Sequence, residues 1–387
     1  MKLMHLSDLH LGKKLNEFPL YDDQKYILNQ LVLLAQQHKP DCVLIAGDVY
    51  DKTVPAAEAV LLFDYFLNKL AQLKLPVCII SGNHDSAERL SFGAQLMTQS
   101  GVHMASTYDG SPQEIVLEDE FGPVHIFLLP FLKPALVKHY LPEEEAAKIT
   151  SYHDALQAAV KLLNIDKKER NILVAHQFVT GAISAGSEAV NVGGLDNIGA
   201  EVFAAFDYVA LGHIHNPQNV GNDVRIRYCG TPLKYSFAEY KQQKSVTFIE
   251  LKQKGELQLE TVPLTPLHEL RYLKGNYHDL MLRDNYRQYP FDEDGCLHDF
   301  YYLTLTDETD VPNALQNLRA VYKNLLQLDY DNLRTRQEKN LELEEEAADK
   351  TPLELIESFF EQQNNQALDT KQKAYLTNLL DKLEGEV

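Results

Sequence analysis

Five short apolar runs, each stopping at a polar residue able to hold a metal, constrain this chain more than anything else in it. "KLMHLSDLH" leads from Leu3, Met4 and Leu6 into Asp8 and His10. "DCVLIAGDVYD" ends in Asp48 and Asp51, and "PVCIISGNHD" in Asn83, His84 and Asp85. "RNILVAHQ" stops at His176, and "FDYVALGHIH" at Gly212, His213 and His215. Short runs rich in Val, Ile and Leu, bounded by glycine and polar residues, read as buried strands.

Helical periods fill the gaps. Asp22–His38 carries Tyr26, Ile27, Leu31, Leu34 and Ala35 on one side. Pro55–Leu73 carries Leu62, Phe63, Phe66 and Leu70, with Pro55 suited to the first turn, and Ser151–Leu163 makes a third period. Continuous apolar strands between amphipathic helices predict an α/β fold, a buried sheet with helices on its faces. "VRIRYCGTP" and "KSVTFIELKQKGELQLETVPL" read as strands and a hairpin that complete this domain near residue 265.

The texture changes after Pro266. "DFYYLTLTD" reads as a strand, Val311–Gln327 as a helix with Leu315, Leu318, Tyr322 and Leu325 on one side, and "LDYDNLRTR" as a returning strand. Together they make a small β-α-β unit. From Glu338 the last 50 positions hold 13 acidic and 5 basic residues. Such a tail is a solvated or partner-binding segment. It carries two amphipathic helical patterns, one with Leu355, Ile356, Phe359 and Phe360, the other with Leu376, Leu379, Leu380 and Leu383. Thr351-Pro352-Leu353-Glu354 is a capping box at the start of the first. The expected organisation is therefore 1–265, 266–337 and 338–387.

No apolar stretch has the length needed to cross a bilayer, and the N-terminus does not read as a signal peptide, so the expectation is a cytoplasmic protein without a membrane partner. The net charge of −20 argues against a broad basic face for nucleic acid. DNA would need a local basic patch, bound cations or a partner's surface. Of the four cysteines, Cys42, Cys78, Cys229 and Cys296, none forms a CxxC pair. Thiolate zinc is disfavoured, and all four are expected reduced.

In open α/β sheets, ligands gather beyond the carboxyl ends of the strands. Asp8, His10, Asp48, Asn83, His84, His176, His213 and His215 would converge there. The i, i+2 spacing of Asp8/His10 and of His213/His215 points paired side chains the same way from extended chain. Gly47, Gly82 and Gly212 would let the backbone turn sharply. Carboxylates, imidazoles and one amide without sulfur suit Mn²⁺, with Fe²⁺ or Zn²⁺ as alternatives. The set is too large for one ion, and a carboxylate such as Asp48 can bridge two ions about 3.5–4 Å apart. Asp51 and Asp85 either orient a histidine from behind or cap a loop. Arg89 either meets a DNA phosphate or pairs with a carboxylate. Lys13 and Lys14 either track a phosphate backbone or form a solvated face. His5, His38 and His103 are ordinary structural or surface histidines.

The order D-x-H, G-D-x-x-D, G-N-H-D, H, G-H-x-H resembles the calcineurin-like metallophosphoesterase superfamily. The longer strings "SDLHLGKKL", "GNHDSAERL", "AHQFVTGAISAGSE", "ALGHIH" and "YCGTPLKYSFAE" resemble, within it, the SbcD-type nuclease subunits of bacterial SbcCD complexes. Leu9 stands where many relatives carry tryptophan, a change that should not affect the metals. The resemblance implies a layered β-sandwich core flanked by helices, a small β-α-β capping domain for DNA recognition and a C-terminal helical segment that binds the partner. It implies that Asp8, His10, Asp48 and His215 hold one metal, and that Asp48, Asn83, His176 and His213 hold the other. His84 would be catalytic without being a ligand, protonating the departing oxygen. The implied activity is that of a nuclease with two Mn²⁺, acting as exonuclease on duplex DNA and as endonuclease on single strands or hairpins. It would work with an SbcC-type ATPase in hairpin processing, recombination and repair, as a homodimer within a heterotetramer. The residues alone leave two other readings: the same metals acting on a phosphoprotein or small phosphodiester, and a non-catalytic scaffold.

Overall fold

The computed structural model describes residues 1–111, 113–183 and 197–335, with scattered helical positions between 353 and 380. Two compact units divide the chain, Met1–Glu269 and Leu270–Val387.

The first unit is built on two six-stranded sheets. One runs, in spatial order, Leu257–Pro263, Ser245–Leu251, Lys2–Leu6, Cys42–Ala46, Val77–Ile80 and Val102–Ala105. The other runs Gln218–Val220, Asp223–Tyr228, Tyr208–Gly212, Arg170–His176, Gly122–Leu129 and Gln113–Asp119. The middle strands of each are parallel. Antiparallel strands close both edges of the second sheet and the Leu257–Pro263 edge of the first, whose other edge strand, Val102–Ala105, is parallel to its neighbour. Parallel strands must be covered on both faces, and their residues here are almost uniformly buried. Alternate residues of the two sheets, among them Leu3, Leu44, Cys78 and Ile80 on one and Ile126, Val174, Tyr208 and Ala210 on the other, meet in one apolar core. A second core forms where Phe127, Leu173, Val209 and Leu211 pack against Leu156 and Ala159 of the helix Tyr152–Lys161. The architecture is the layered sandwich expected. All four cysteines are free thiols, and Cys42 and Cys78 lie inside the core between the sheets.

The helices start and stop close to where periodicity put them. Tyr21–His38 buries Ile27, Leu28, Leu31, Val32 and Ala35. Ser151 caps Tyr152–Lys161 through a capping box, its hydroxyl accepting from Asp154 N while Asp154 accepts from Ser151 N. The helix Ala57–Gln72 starts later than expected: Ala56 is extended, so Pro55 precedes the cap instead of filling the first turn.

In the second unit, Leu270–Gly275, Phe300–Leu305 and Leu325–Tyr330 form a three-stranded parallel sheet. The connecting helix is only Ala314–Arg319. Leu325, expected in that helix, is instead a strand residue paired with Tyr301 and buried beside Tyr322. Sheet pairing has overridden a helical spacing of apolar residues. In the tail, Leu353, Ile356, Phe360, Tyr375, Leu376, Leu379 and Leu380 are helical, with Tyr375 69% and Leu379 42% exposed. Leu355, Phe359, Leu383, the capping box at Thr351 and Pro352, and the acidic stretch 338–350 lie outside the described residues. No helix among the described residues is long and apolar enough to cross a membrane.

Candidate metal centre

All eight residues singled out in the sequence come together where the parallel strands of the two sheets end. Asp8 and His10 follow Leu6, Asp48 follows Ala46, and Asn83 and His84 follow Ile80; His176 ends its strand, and His213 and His215 follow Gly212. The loops of one sheet are laced together by Asp8 N donating to Gly47 O (3.0 Å) and His10 N to Asp48 O (3.0 Å). The sheets are laced to each other by His176 Nδ1 donating to Ala46 O (2.8 Å) and His213 N to Asp8 Oδ1 (3.0 Å).

The route to convergence differs from the one expected. Asp8, His10, Asp48 and His213 have φ of 52°, 43°, 49° and 104°, so these residues lie beyond the strands in left-handed backbone. Extended-chain alternation therefore does not explain the Asp-x-His and His-x-His spacings; tight turns do. Such φ values cost free energy for residues with a Cβ, and they collect at functional sites. Gly47 turns as expected, with φ of 84°. Gly82 and Gly212 serve another purpose, because a Cβ on Gly82 would strike the Asp48 carboxylate and one on Gly212 the Ala46 carbonyl and the His176 ring. They are small because the site passes directly over them.

Acceptor atoms crowd the centre. His176 spends its Nδ1 proton on Ala46 O, which leaves Nε2 facing Asn83 Oδ1 (3.0 Å) and Asp48 Oδ2 (3.3 Å). His213 Nδ1 meets the same Asn83 oxygen at 2.9 Å. Opposite them, Nε2 of His10 and Nε2 of His215 face each other at 3.2 Å. Asp8, His10 and His215 can each offer an atom to one ion, and so can Asp8, Asp48 and His176. Such a cluster of carboxylates and imidazoles, nine-tenths or more buried at Asp8, His10, Asp48, His176, His213 and His215, needs positive charge at its middle. The donor set therefore fits divalent cations.

Without an ion, protons do that work. Burial pushes Asp8 up to about 6, assisted by the charge of Asp48. Burial alone would lower His176, but the Asp48 carboxylate and the hydrogen bond to it hold the ring up to about 9. Burial holds His10 well below its usual value and brings His213 down to about 3, so both stay neutral. Burial likewise opposes the charge on Asp48, yet the surrounding imidazoles, His176 first, keep it well below the carboxylate range.

His84 stands at the rim, partly exposed. Its main-chain N–H donates to Asp48 Oδ1 (2.8 Å), and Nδ1 donates to the carbonyl oxygen of Asp51 (2.9 Å). The Asp51 carboxylate is taken by Lys13 (2.7 Å), so Lys13 is an internal partner, whereas Lys14 is solvated. Asp85 caps a loop: its carboxylate accepts from Val49 N, Tyr50 N and Gly82 N, clamping the Asp48 turn to the Asn83 turn. Arg89 is exposed and forms no ion pair among the described residues. His5 is buried and structural, its Nδ1 hydrogen-bonded to the Tyr208 hydroxyl (2.9 Å).

Sequence spacing missed the residues behind the centre. Glu239, fully buried, places Oε1 3.1 Å from His215 Nδ1, and the Lys244 ammonium sits 2.6 Å from its other oxygen. Burial alone would raise Glu239, but His215 and Lys244 bring it down to about 2. Tyr235 donates its hydroxyl to Leu9 O, and Gln24 donates to His10 O (2.8 Å) and to the Tyr235 oxygen (3.2 Å). The one signal in the sequence was "YCGTPLKYSFAE", which contains Tyr235 and Glu239.

The family model for calcineurin-like phosphoesterases matches residues 1–217, and that for the type 5 capsule protein repressor C-terminal domain matches residues 266–364. Over 333 residues the chain is 32% identical to the SbcD subunit of the SbcCD nuclease of Staphylococcus epidermidis, covering 85% of each protein. Among solved structures, a dimetal phosphatase from Danio rerio is similar with a TM-score of 0.41 and 14% identity, over 67% of this chain and 98% of that one. The protein TT1561 of Thermus thermophilus is similar with a TM-score of 0.37, 14% identity and the same coverage.

Proposed function

Because this chain belongs to the calcineurin-like phosphoesterase family, and within it to the SbcD nucleases of SbcCD complexes, we propose that it is a DNA nuclease whose centre takes two Mn²⁺ ions. In this reading Asp8, His10, Asp48 and His215 hold one ion, and Asp48, Asn83, His176 and His213 hold the other. The observation that carries it is the meeting of two carboxylates, four imidazoles and an amide oxygen at one point, with ring nitrogens 2.9–3.3 Å from one another or from the Asp48 and Asn83 oxygens.

Two cations, when bound, supply charge to the phosphate oxygens and make a water acidic enough to attack phosphorus. The chain's own residues do the rest. Asp48 ties both halves of the centre together and anchors the His84 main chain. With its Nδ1 proton committed to Asp51 O, His84 has Nε2 for the reaction. Protonated there, it gives a proton to the departing sugar oxygen as the P–O bond breaks. With a net charge of −20, the chain would meet DNA through bound cations, a local basic patch or a partner's surface.

The substrates would be duplex ends for exonuclease action and single strands or hairpins for endonuclease action, in repair and recombination. A cytoplasmic location goes with that substrate. The unit 266–337 would recognise DNA. The tail 338–387 would dock on an SbcC-type ATPase, two copies of each chain forming a heterotetramer. The exposed Tyr375 and Leu379 support docking, since apolar helix positions left in water are unfavourable.

The test is incubation with Mn²⁺ and linear duplex DNA, hairpin DNA or a generic phosphomonoester, for the intact chain and for residues 1–337, each with the ATPase. Both chains should cut DNA, and only the intact chain should co-purify with the ATPase. Turnover confined to the phosphomonoester would overturn the nuclease reading, and wild-type stoichiometry for residues 1–337 would overturn the docking.

Metal uptake should depend on pH in a specific direction. A cation must displace the proton on His176 and, at lower pH, that on Asp8. Between about pH 6 and 9 one proton leaves, so apparent Mn²⁺ affinity should rise about tenfold per pH unit, and below about pH 6 the slope should approach two decades per unit. Calorimetric titration in buffers of different ionisation enthalpy measures both the affinity and the released protons. An affinity flat across this range would contradict the ligand assignment.

A further inference from the structure

His215 is gripped differently from the other imidazoles of the centre. His176 donates Nδ1–H to a neutral main-chain carbonyl, Ala46 O. His215 meets instead the carboxylate of Glu239 at 3.1 Å, in a place with no exposure to water. Lys244, itself buried, is 2.6 Å from Glu239 Oε2 and also donates to the main-chain oxygen of His215 at 2.9 Å. Thr231 N donates to that same oxygen at 3.1 Å. The segment from Thr231 to Lys244 thus holds His215 by ring and by backbone at once.

We infer that Glu239 is a positioning residue that makes one of the two metal positions the stronger: it keeps His215 as the Nδ1–H tautomer, directs Nε2 toward His10, and makes that nitrogen a better donor. A carboxylate behind a ligating imidazole raises its basicity and fixes its orientation, and removing such a partner typically costs 10–100-fold in metal affinity. A neutral carbonyl behind His176 does this less. Lys244 cancels the buried negative charge, which would otherwise be costly to hold in the core. The function of "YCGTPLKYSFAE" then becomes specific: it carries the brace of the position formed by Asp8, His10 and His215, reaching both His215 through Glu239 and the Asp8–His10 turn through Tyr235 and Leu9 O.

This inference rests on the two-metal reading, and the experiment separates the two. A simple structural ion pair would stabilise the fold and leave metal affinity unchanged when Glu239 is replaced. Mn²⁺ binding is measured by calorimetric titration on the full chain in four forms: wild type, Glu239→Leu with Lys244→Met, His215→Ala, and all three substitutions together. The apolar pair removes both charges, so no unpaired ion is left in the core. It should weaken one of two Mn²⁺ equivalents by about 10–100-fold and spare the other. In the His215→Ala background it should cause no further loss, because Glu239 acts through that ring. An equal loss in both backgrounds, or no loss in either, overturns the inference. If wild type takes up fewer than two ions, the two-metal reading fails and this inference with it. Should the apolar pair melt well below wild type, Glu239→Gln with Lys244→Met in the same two backgrounds supplies the comparison, with the same results for and against.

Discussion

Replacing His84 by alanine should lower Mn²⁺-dependent DNA cleavage by about 10²–10⁴-fold, the usual reach of general acid–base catalysis, while both metals still bind. The His84 contact to Asp48 is made by its main-chain N–H, which alanine keeps. The ring is directed to the rim by Asp51 O, and its approach to His10 is only edge-on, with centroids 4.9 Å apart. Loss of the ring therefore removes a proton donor and leaves the ligand cage in place. Elemental analysis beside a nuclease assay decides the matter: loss of a full metal equivalent, or a loss of only a few-fold in rate, contradicts the role. A diester with a phenolate leaving group whose departure needs no proton should lose far less, because the acid serves only the departing oxygen.

Asp48→Asn should be the most damaging change to metal binding, weakening both ions. Its Oδ2 lies 3.3 Å from His176 Nε2 and 3.7 Å from His10 Nε2, so one carboxylate faces both halves of the centre. Supporting partners behind ligands typically cost 10–100-fold, so a shared ligand should cost at least about 100-fold at each position. Asparagine suits the test. It keeps the shape, it tolerates the left-handed backbone (φ 49°) better than most residues, and its amide oxygen can still accept from His84 N. A folded variant without metal is therefore expected, checked by circular dichroism and Mn²⁺ titration. Two intact sites would show that Asp48 is not shared.

The two variants probe parts of the molecule that differ in how they could be read. Every residue brought to the centre stood at the end of an apolar run, because a buried parallel strand must be apolar and a ligand must lie beyond its end. That local rule made Asp8, Asp48, Asn83, His176 and His213 visible from the chain alone. Local chemistry also located Ser151 as a cap, since its bonds reach only to Asp154. Where a distant partner decided the outcome, the chain was silent or misleading. Leu325 had helical spacing, yet the edge of the Phe300–Leu305 strand offered it backbone bonds and a place in the core.

The tertiary structure alone decided how the site works. Which imidazole nitrogen faces inward depends on what holds the other, and that holder is Ala46 O for His176, Asp51 O for His84 and Glu239 for His215. None of these pairs is close in sequence, and a carbonyl leaves no trace in residue identity. The glycines at 82 and 212 are explained by atoms of Asp48, Ala46 and His176 brought against them by folding. Residue type and spacing determined which side chains could bind cations. Hydrogen bonds from distant parts of the chain determined which atoms of those side chains are free to do so.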